Sequence, residues 1–278
     1  MSAIATAIPG WPLRRRQLWL VMRTELARTF SAWRSLWLLL LAFIPAVIVT
    51  WHALEGHRCH LEEENLILAG IVQAYYVRFA VFFGCLWIFM RLVRGEVAER
   101  TLHYWFLAPL RRDVLIVGKF LAGVTATVLL FTAGVAATFA LMYAHFPAGR
   151  SFVANGPALA HLQAYLLVTA LACIGYGAVF LALSLVFKNP MVPAVIVLVW
   201  EGINGALPVL LKRFSVIFYL KPLFPVELPV AGLSGLFTVV AEPVAGWVAV
   251  TGLLGFTSVV LLFACWRVRR VEVSYSTD

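Results

Sequence analysis

Six long apolar runs constrain the fold of this chain more than any other feature of its sequence. Each run approaches or exceeds the ~20 residues that a helix needs to cross ~30 Å of hydrocarbon, and charged residues make up only 13% of the 278. Backbone polar groups in lipid have to be satisfied within the segment, as in a helix. We therefore predict an all-α polytopic membrane protein with one transmembrane domain, residues 1–278. Its predicted spans are 35–54, 66–90, 114–144, 158–187, 191–211 and 244–266.

The distribution of basic residues predicts the orientation of these spans. With the N-terminus inside, 16 of the 22 Lys and Arg residues fall in cytoplasmic segments and five in outer segments, while Arg78 lies within a span. This excess follows the positive-inside rule and puts both termini in the cytoplasm. The net charge of +9 is then explained by membrane flanks, and we expect no nucleic-acid partner. The N-terminal segment does not resemble a secretory signal, so we expect it to be retained.

A helix of another kind is predicted over residues 13–34. Its apolar residues recur at spacings of three and four, which puts them on one face, and arginines lie off that face. The pattern is typical of a helix that lies in the membrane interface and contacts membrane lipid; a soluble arm that packs on other protein is the alternative. The apolar face consists of Trp19, Met22, Leu26, Phe30 and Trp33.

The segment 212–243 contains two apolar pieces that are too short to span and are interrupted by prolines. Irregular backbone at membrane depth is tolerated only where it is buried in protein or lines a cavity. We predict short re-entrant or surface helices on the outer side here, and not a seventh span.

The stretch Arg91–Phe120 carries nine charged residues between two apolar runs. A helix is predicted over 95–109, where Pro109 stops it, and Asp113 is placed to cap the next helix. Such a charged helix, held between two spans, indicates a docking surface for a cytoplasmic partner. The alternative is that the charges solvate a loop and fix its topology, with Glu96 in an exposed pair with Arg94 or Arg100.

This stretch resembles the ABC-2-type permeases, the membrane subunits of ATP-driven bacterial exporters. That family carries "GE", "TL", a proline, a nearby arginine and "GK" in this order. The family pattern has a glycine before the threonine, where this chain has Arg100. The matching residues are Gly95-Glu96, Thr101-Leu102, Pro109, Arg112 and Gly118-Lys119.

The resemblance implies that residues 95–109 form a coupling helix that transmits ATPase closure to the spans. It also implies a bacterial cytoplasmic-membrane location, export of substrate, a dimer of cytoplasmic ABC ATPase subunits that binds ATP and Mg, and a second permease copy, identical or different. The residues assigned to ATPase coupling are Gly95, Glu96, Glu99, Arg100, Thr101, Leu102, Tyr104, Trp105, Pro109 and Arg112.

The printed sequence has no phosphate loop of its own. Its "GK", Gly118-Lys119, lacks the earlier glycine of that motif and begins a span. We therefore expect a transport subunit that is not an enzyme, with no catalytic residues and no cofactor of its own.

Two ionisable residues, Arg78 and Glu201, are predicted far from any loop. Charged residues inside the membrane are costly and often functional. Both lie at a similar predicted depth, so a pair between the second and fifth spans is expected, with Tyr75 and Asn204 on the same faces. Three interpretations remain open for these residues: a polar patch on the translocation path, a structural clamp, and a Glu201 that stays protonated in an apolar site.

The first outer loop contains residues with metal-ligand chemistry, but their spacing matches no closed zinc pattern. We predict no metal site from this loop. The residues concerned are His52, His57, Cys59 and His60.

The function predicted from these features is the permease subunit of an ABC exporter that moves a hydrophobic or amphipathic, lipid-like or drug-like substrate outward. A secondary transporter and an integral membrane enzyme that modifies lipids are the alternatives. A secondary transporter would favour inverted repeats and interrupted spans in both halves, and an enzyme would need a catalytic set, which the sequence does not indicate.

Overall fold

A computed structural model describes residues 11–31, 35–55, 60–96, 111–204, 208–226, 228 and 245–270. Every element in these ranges is helical, which confirms the predicted all-α membrane fold. We number the helices α1 (Trp11–Ser31), α2 (Leu36–Leu54), α3 (Leu61–Gly95), α4 (Arg112–Ala144), α5 (Pro147–Asn155), α6 (Ala158–Val186), α7 (Met191–Gly202), α8 (Val209–Lys212), α9 (Val216–Leu220) and α10 (Gly246–Arg269).

Five of the described helices are long and apolar enough to cross a membrane. They are α2, α3, α4, α6 and α10. The predicted span 191–211 corresponds in its described part to α7, which has 12 residues and a length of about 18 Å at 1.5 Å per residue. This helix alone is too short to span, so the sixth span stays a prediction.

Helix α3 is longer than the predicted span 66–90, because it starts at Leu61 and continues to Gly95. Two of its segments, Ile71–Ala80 and Arg91–Gly95, are π-helical. Wide turns of this kind are frequent at functional sites. The first π-helical segment contains Arg78.

Helix α4 is central to the bundle and contacts α1, α2, α3, α6 and α10. Small residues allow these contacts to be close, as is typical of helix packing in membranes. A Cβ atom on Gly134 would lie 2.3 Å from the carbonyl oxygen of Ala42 on α2, and one on Gly118 would lie 2.8 Å from Val21 on α1.

Helix α1 packs on α4 through Val21 and Glu25, which are both 3% exposed. Trp19 and Phe30, on the predicted apolar face, are about half exposed, at 50% and 49%. The protein therefore buries a different side of α1 from the one that carries the aromatic residues, and that aromatic side stays open to the surroundings. Placement of α1 in the membrane interface remains a prediction.

Helix α5, between α4 and α6, was not expected from the sequence; it begins with Pro147, a favoured first helical residue. In the predicted outer segment 212–243, the described residues form α9 and a 3₁₀ turn at Lys221–Leu223.

Candidate functional site

Of the residues predicted to couple to an ATPase, the structure describes three, and these flank segment 97–110. Gly95 and Glu96 end helix α3, and Arg112 begins α4. The remaining predicted coupling residues lie outside the described part of the chain; they are Glu99, Arg100, Thr101, Leu102, Tyr104, Trp105 and Pro109.

Glu96 belongs to a buried charge cluster, formed by Glu25, Arg28, Glu96 and Lys119. The Nζ atom of Lys119 lies 2.8 Å from Oε1 of Glu96 and 2.5 Å from Oε1 of Glu25. Nη1 of Arg28 lies 3.6 Å from Oε1 of Glu96. Two carboxylates and two cations balance in charge, so this cluster satisfies the requirement that buried charges be paired.

Three members of the cluster are buried, while the Arg28 side chain is 48% exposed. The side chains of Glu96, Lys119 and Glu25 are 0%, 1% and 4% exposed. Lys119 also donates a hydrogen bond of 2.8 Å to the carbonyl of Leu92 in the last turns of α3. Burial raises the pKa of the Glu96 carboxyl above its ordinary value, while the positive charge of Lys119 acts in the opposite direction.

Glu96 is buried, not exposed as the sequence suggested. Its side chain lies against Lys119 and Arg28, the Arg94 guanidinium donates to the carbonyl of Phe187 at the end of α6, and Arg100 lies outside the described residues. Glu96 of the "GE" pair and Lys119 of the "GK" pair thus meet in space. Gly118 lets α1 approach α4, and Lys119 then joins α1 to the end of α3.

Glu25 was missed by the sequence analysis, although a signal was present. It is the only acidic residue before Glu55 in the chain, and it lies within a strongly basic helix. An isolated carboxylate on such a helix indicates a specific cationic partner. Sequence spacing does not reveal that this partner is Lys119 on α4.

At the other edge of segment 97–110, Asp113 joins α4 to α10. Its carboxylate accepts hydrogen bonds of 2.8 Å and 2.7 Å from Nε and Nη2 of Arg269. The prediction that Asp113 caps the helix was wrong, since α4 begins at Arg112 and Asp113 lies in its first turn. Arg112 donates to the carbonyl of Arg269 at 3.1 Å.

A second site is an aromatic cavity of about 590 Å³ between α3, α6 and α7. Arg78 and Glu201 both line it and interact electrostatically. The other lining residues include Tyr75, Phe79, Phe82, Phe83, Tyr176 and Leu198. The cavity is thus mainly aromatic with one charge of each sign, a composition suited to an amphipathic ligand.

Glu201 also holds helix α9 in place. Its carboxylate accepts hydrogen bonds from Ser215 Oγ at 2.6 Å and from the backbone N–H groups of Val216 and Ile217 at 2.8 and 3.2 Å. These two N–H groups belong to the first turn of α9, where an anion is favoured. The side chain of Glu201 therefore joins the end of α7 to the start of α9.

The other two residues predicted with this pair have different surroundings. The Tyr75 hydroxyl donates to the carbonyl of Leu41 on α2 at 2.7 Å, while its ring lines the aromatic cavity. Asn204 follows α7 and is 1% exposed. Its amide has no hydrogen-bond partner among the described residues.

Comparison with known proteins gives one family. A family model described as an ABC-2 family transporter protein matches residues 28–203. The matched region contains Glu96, Lys119, Arg78 and Glu201. A comparison with curated proteins gave no match.

Proposed function

Because the chain belongs to the ABC-2 family of transporter proteins, whose model covers more than half of its 278 residues, we propose that it is the transmembrane permease subunit of an ATP-driven exporter. In this proposal it moves a hydrophobic or amphipathic substrate, lipid-like or drug-like, outward across the bacterial cytoplasmic membrane. A dimer of cytoplasmic ATPase subunits binds ATP and Mg, and a second permease copy, identical or different, completes the pathway.

The observation that carries the coupling part of the proposal is the buried charge cluster beside segment 97–110. A force applied to this segment would act on Glu96, which Lys119 joins to both α1 and α4. On its other side the segment leads to Asp113 and Arg269, which join α4 to α10. A partner that docks on the segment would therefore move α1, α3, α4 and α10 together, because packed helices transmit motion as rigid elements.

The aromatic cavity supports the transport part of the proposal. Its rings offer contact area to an apolar body, and Arg78 or Glu201 can orient a polar group. The exposed apolar side of α7 supports a contact with lipid or with the second copy. This side comprises Val192, Val195, Ile196 and Val199, which are 56% to 65% exposed.

A direct test is purification from native membranes in mild detergent, followed by mass spectrometry of the bound proteins. We expect a stoichiometric ATPase with the wild-type chain. Trp105→Ala should release the ATPase, because Trp105 belongs to the predicted coupling helix. Trp247→Ala is the matched control, since Trp247 is 72% exposed at the start of α10 and should retain the ATPase.

The opposite result has a defined meaning. An oligomer that binds no ATPase, and that moves or modifies lipid when reconstituted alone, would contradict the exporter and favour a secondary transporter or a lipid-modifying enzyme. A stoichiometric ATPase that persists in Trp105→Ala would contradict the coupling role of this residue alone.

The proposed orientation can be tested with the chain's own cysteines. Cys85 and Cys173 are fully buried, and Cys59 is predicted to lie in an outer loop. A membrane-impermeant maleimide should therefore label intact cells through Cys59, and Cys59→Ser should remove this labelling. Labelling of Cys59 only after the cells are broken would reverse the orientation.

A further inference from the structure

Three side chains with metal-ligand chemistry meet at the end of the bundle opposite the charge cluster. His52 lies in the last turn of α2, Glu64 in the first turn of α3, and His145 directly after α4. One ligand atom from each residue lies within 4.8 Å of the others. Nε2 of His52 is 3.4 Å from Oε1 of Glu64. Two imidazoles and one carboxylate therefore converge from three separate helices.

Glu64 is the residue that most clearly indicates a cation site. It is 3% exposed, and its Oε2 atom is buried with no hydrogen-bond partner among the described residues. A buried carboxylate oxygen without a partner is costly. A cation bound between the three side chains would place a positive charge beside this buried carboxylate.

The surroundings hold these ligands in position. Nδ1 of His145 lies 3.3 Å from the carbonyl of Leu141. When Nδ1 donates its proton to this carbonyl, Nε2 keeps the lone pair that a metal needs, which is the usual second-sphere arrangement of a metal-binding histidine. The Tyr143 hydroxyl binds the Asn65 side chain, and this contact ties the start of α3, next to Glu64, to the end of α4.

We propose that His52, Glu64 and His145 form a binding site for one divalent transition-metal ion, with Zn²⁺ as the best match. Two histidines and one carboxylate are a known zinc ligand set, which leaves a fourth position for water or another ligand. The ion would fasten the ends of α2, α3 and α4 together. This proposal does not depend on the exporter function, and it replaces the sequence prediction of no metal site.

The sequence indicated part of this site. Among the described residues noted in the first outer loop, His52 takes part and His60 is exposed, while His57 and Cys59 lie outside the described residues. His145 comes from a different connection, and helix periodicity does not show which helix ends meet.

The site can be tested by zinc binding to the full chain. The protein would be purified in detergent with a tag that contains no histidine, stripped with a chelator and titrated with Zn²⁺. We expect about one tightly bound zinc per chain. His52→Gln, Glu64→Gln and His145→Gln should each weaken binding by about tenfold or more. His161→Gln, on α6, is the matched control and should bind zinc like the wild type.

A second control addresses the ligands that the sequence suggested. Replacement of His57, Cys59 and His60 together, by Gln, Ser and Gln, should keep the bound zinc. Zinc that is lost in this variant but retained in Glu64→Gln and His145→Gln would overturn the proposal, as would a wild-type chain that binds no more zinc than the triple variant H52Q/E64Q/H145Q. In that case His52 and Glu64 form only an ion pair.

A measurement on the wild-type chain covers the case in which the variants fail to fold. Cobalt(II) bound in place of zinc should give the intense visible absorption of a four-coordinate site, and X-ray absorption of the zinc-loaded protein should show two imidazoles and no sulfur. A sulfur ligand or a six-coordinate cobalt spectrum would overturn the assignment.

Discussion

Lys119 and Glu96 meet at 2.8 Å, although they are 23 residues apart in the chain. Because Lys119 also binds Glu25, one ammonium group joins three helices where α3 ends. A buried charge cluster of this kind is strongly destabilised when one partner is removed, since the remaining charges stay buried without compensation.

We therefore expect Lys119→Met to lower the free energy of unfolding by about 3–5 kcal/mol. Thermal unfolding in detergent can be followed with a thiol-reactive dye in a chain that carries Cys59→Ser and Cys265→Ser, since the remaining Cys85 and Cys173 are 0% exposed in the folded chain. Lys188→Met is the control, because Lys188 is exposed and its loss should leave the transition within about 0.5 kcal/mol. An unchanged transition in Lys119→Met would show that the cluster contributes little to stability.

The contact of α1 with α4 depends on the small size of Gly118. A Cβ atom there would lie 2.8 Å from Cγ1 of Val21, so Gly118→Ala forces the two helices apart. We expect a loss of about 1–3 kcal/mol and partial recovery in the double variant with Val21→Ala. Gly255→Ala, where nothing lies within 4 Å, is the control. Equal effects at both glycines would contradict the close contact.

The apolar runs were sufficient to predict the membrane fold, because a helix that crosses the hydrocarbon of a bilayer needs ~20 consecutive, mainly apolar residues. The predicted spans near α2, α4 and α6 lie within a few residues of the observed helices. Long-range pairings could not be predicted in this way. Asp113 was expected to cap its own helix and instead binds Arg269, because α4 starts two residues earlier than predicted, which moves the carboxylate into the helix.

The candidate sites show the same limit. Arg78 and Glu201 were predicted at a similar depth because they lie about equally far from their span ends. In the structure both residues line one cavity. The three hydrogen bonds of Glu201 to residues 215–217 could not be foreseen, since they require α7 to end at Gly202 and the chain to return. His145 is the single ligand that follows α4, and Glu25 is the single acidic residue of α1, and a single residue leaves no periodic pattern.

Glu201 is predicted to contribute to stability through its hydrogen bonds with Ser215, Val216 and Ile217. In Glu201→Gln only one oxygen remains to accept, and the amide group faces a donor, so we expect a loss of about 1–3 kcal/mol and less protein in the membrane. Ser215→Ala should have a smaller effect, because the two backbone bonds persist. Glu62→Gln, at an exposed position, is the control. Normal stability with reduced transport in Glu201→Gln would instead favour a role confined to the translocation path.

Arg78 provides the positive charge of the aromatic cavity, and its substitution should affect transport more than folding. An interaction of a charged side chain with a substrate headgroup is worth about 1.5–3 kcal/mol, so we expect Arg78→Met to reduce the transport rate by about tenfold or more. The measurement is the movement of a fluorescent phospholipid analogue in proteoliposomes that contain the chain and its ATPase, with protein amount and thermal transition determined in parallel. Arg150→Met, which replaces an exposed arginine on α5, is the control.

Transport at the wild-type rate in Arg78→Met would show that the phospholipid does not contact this charge. A lowered thermal transition with an unchanged rate per folded molecule would assign Arg78 a purely structural role beside Glu201.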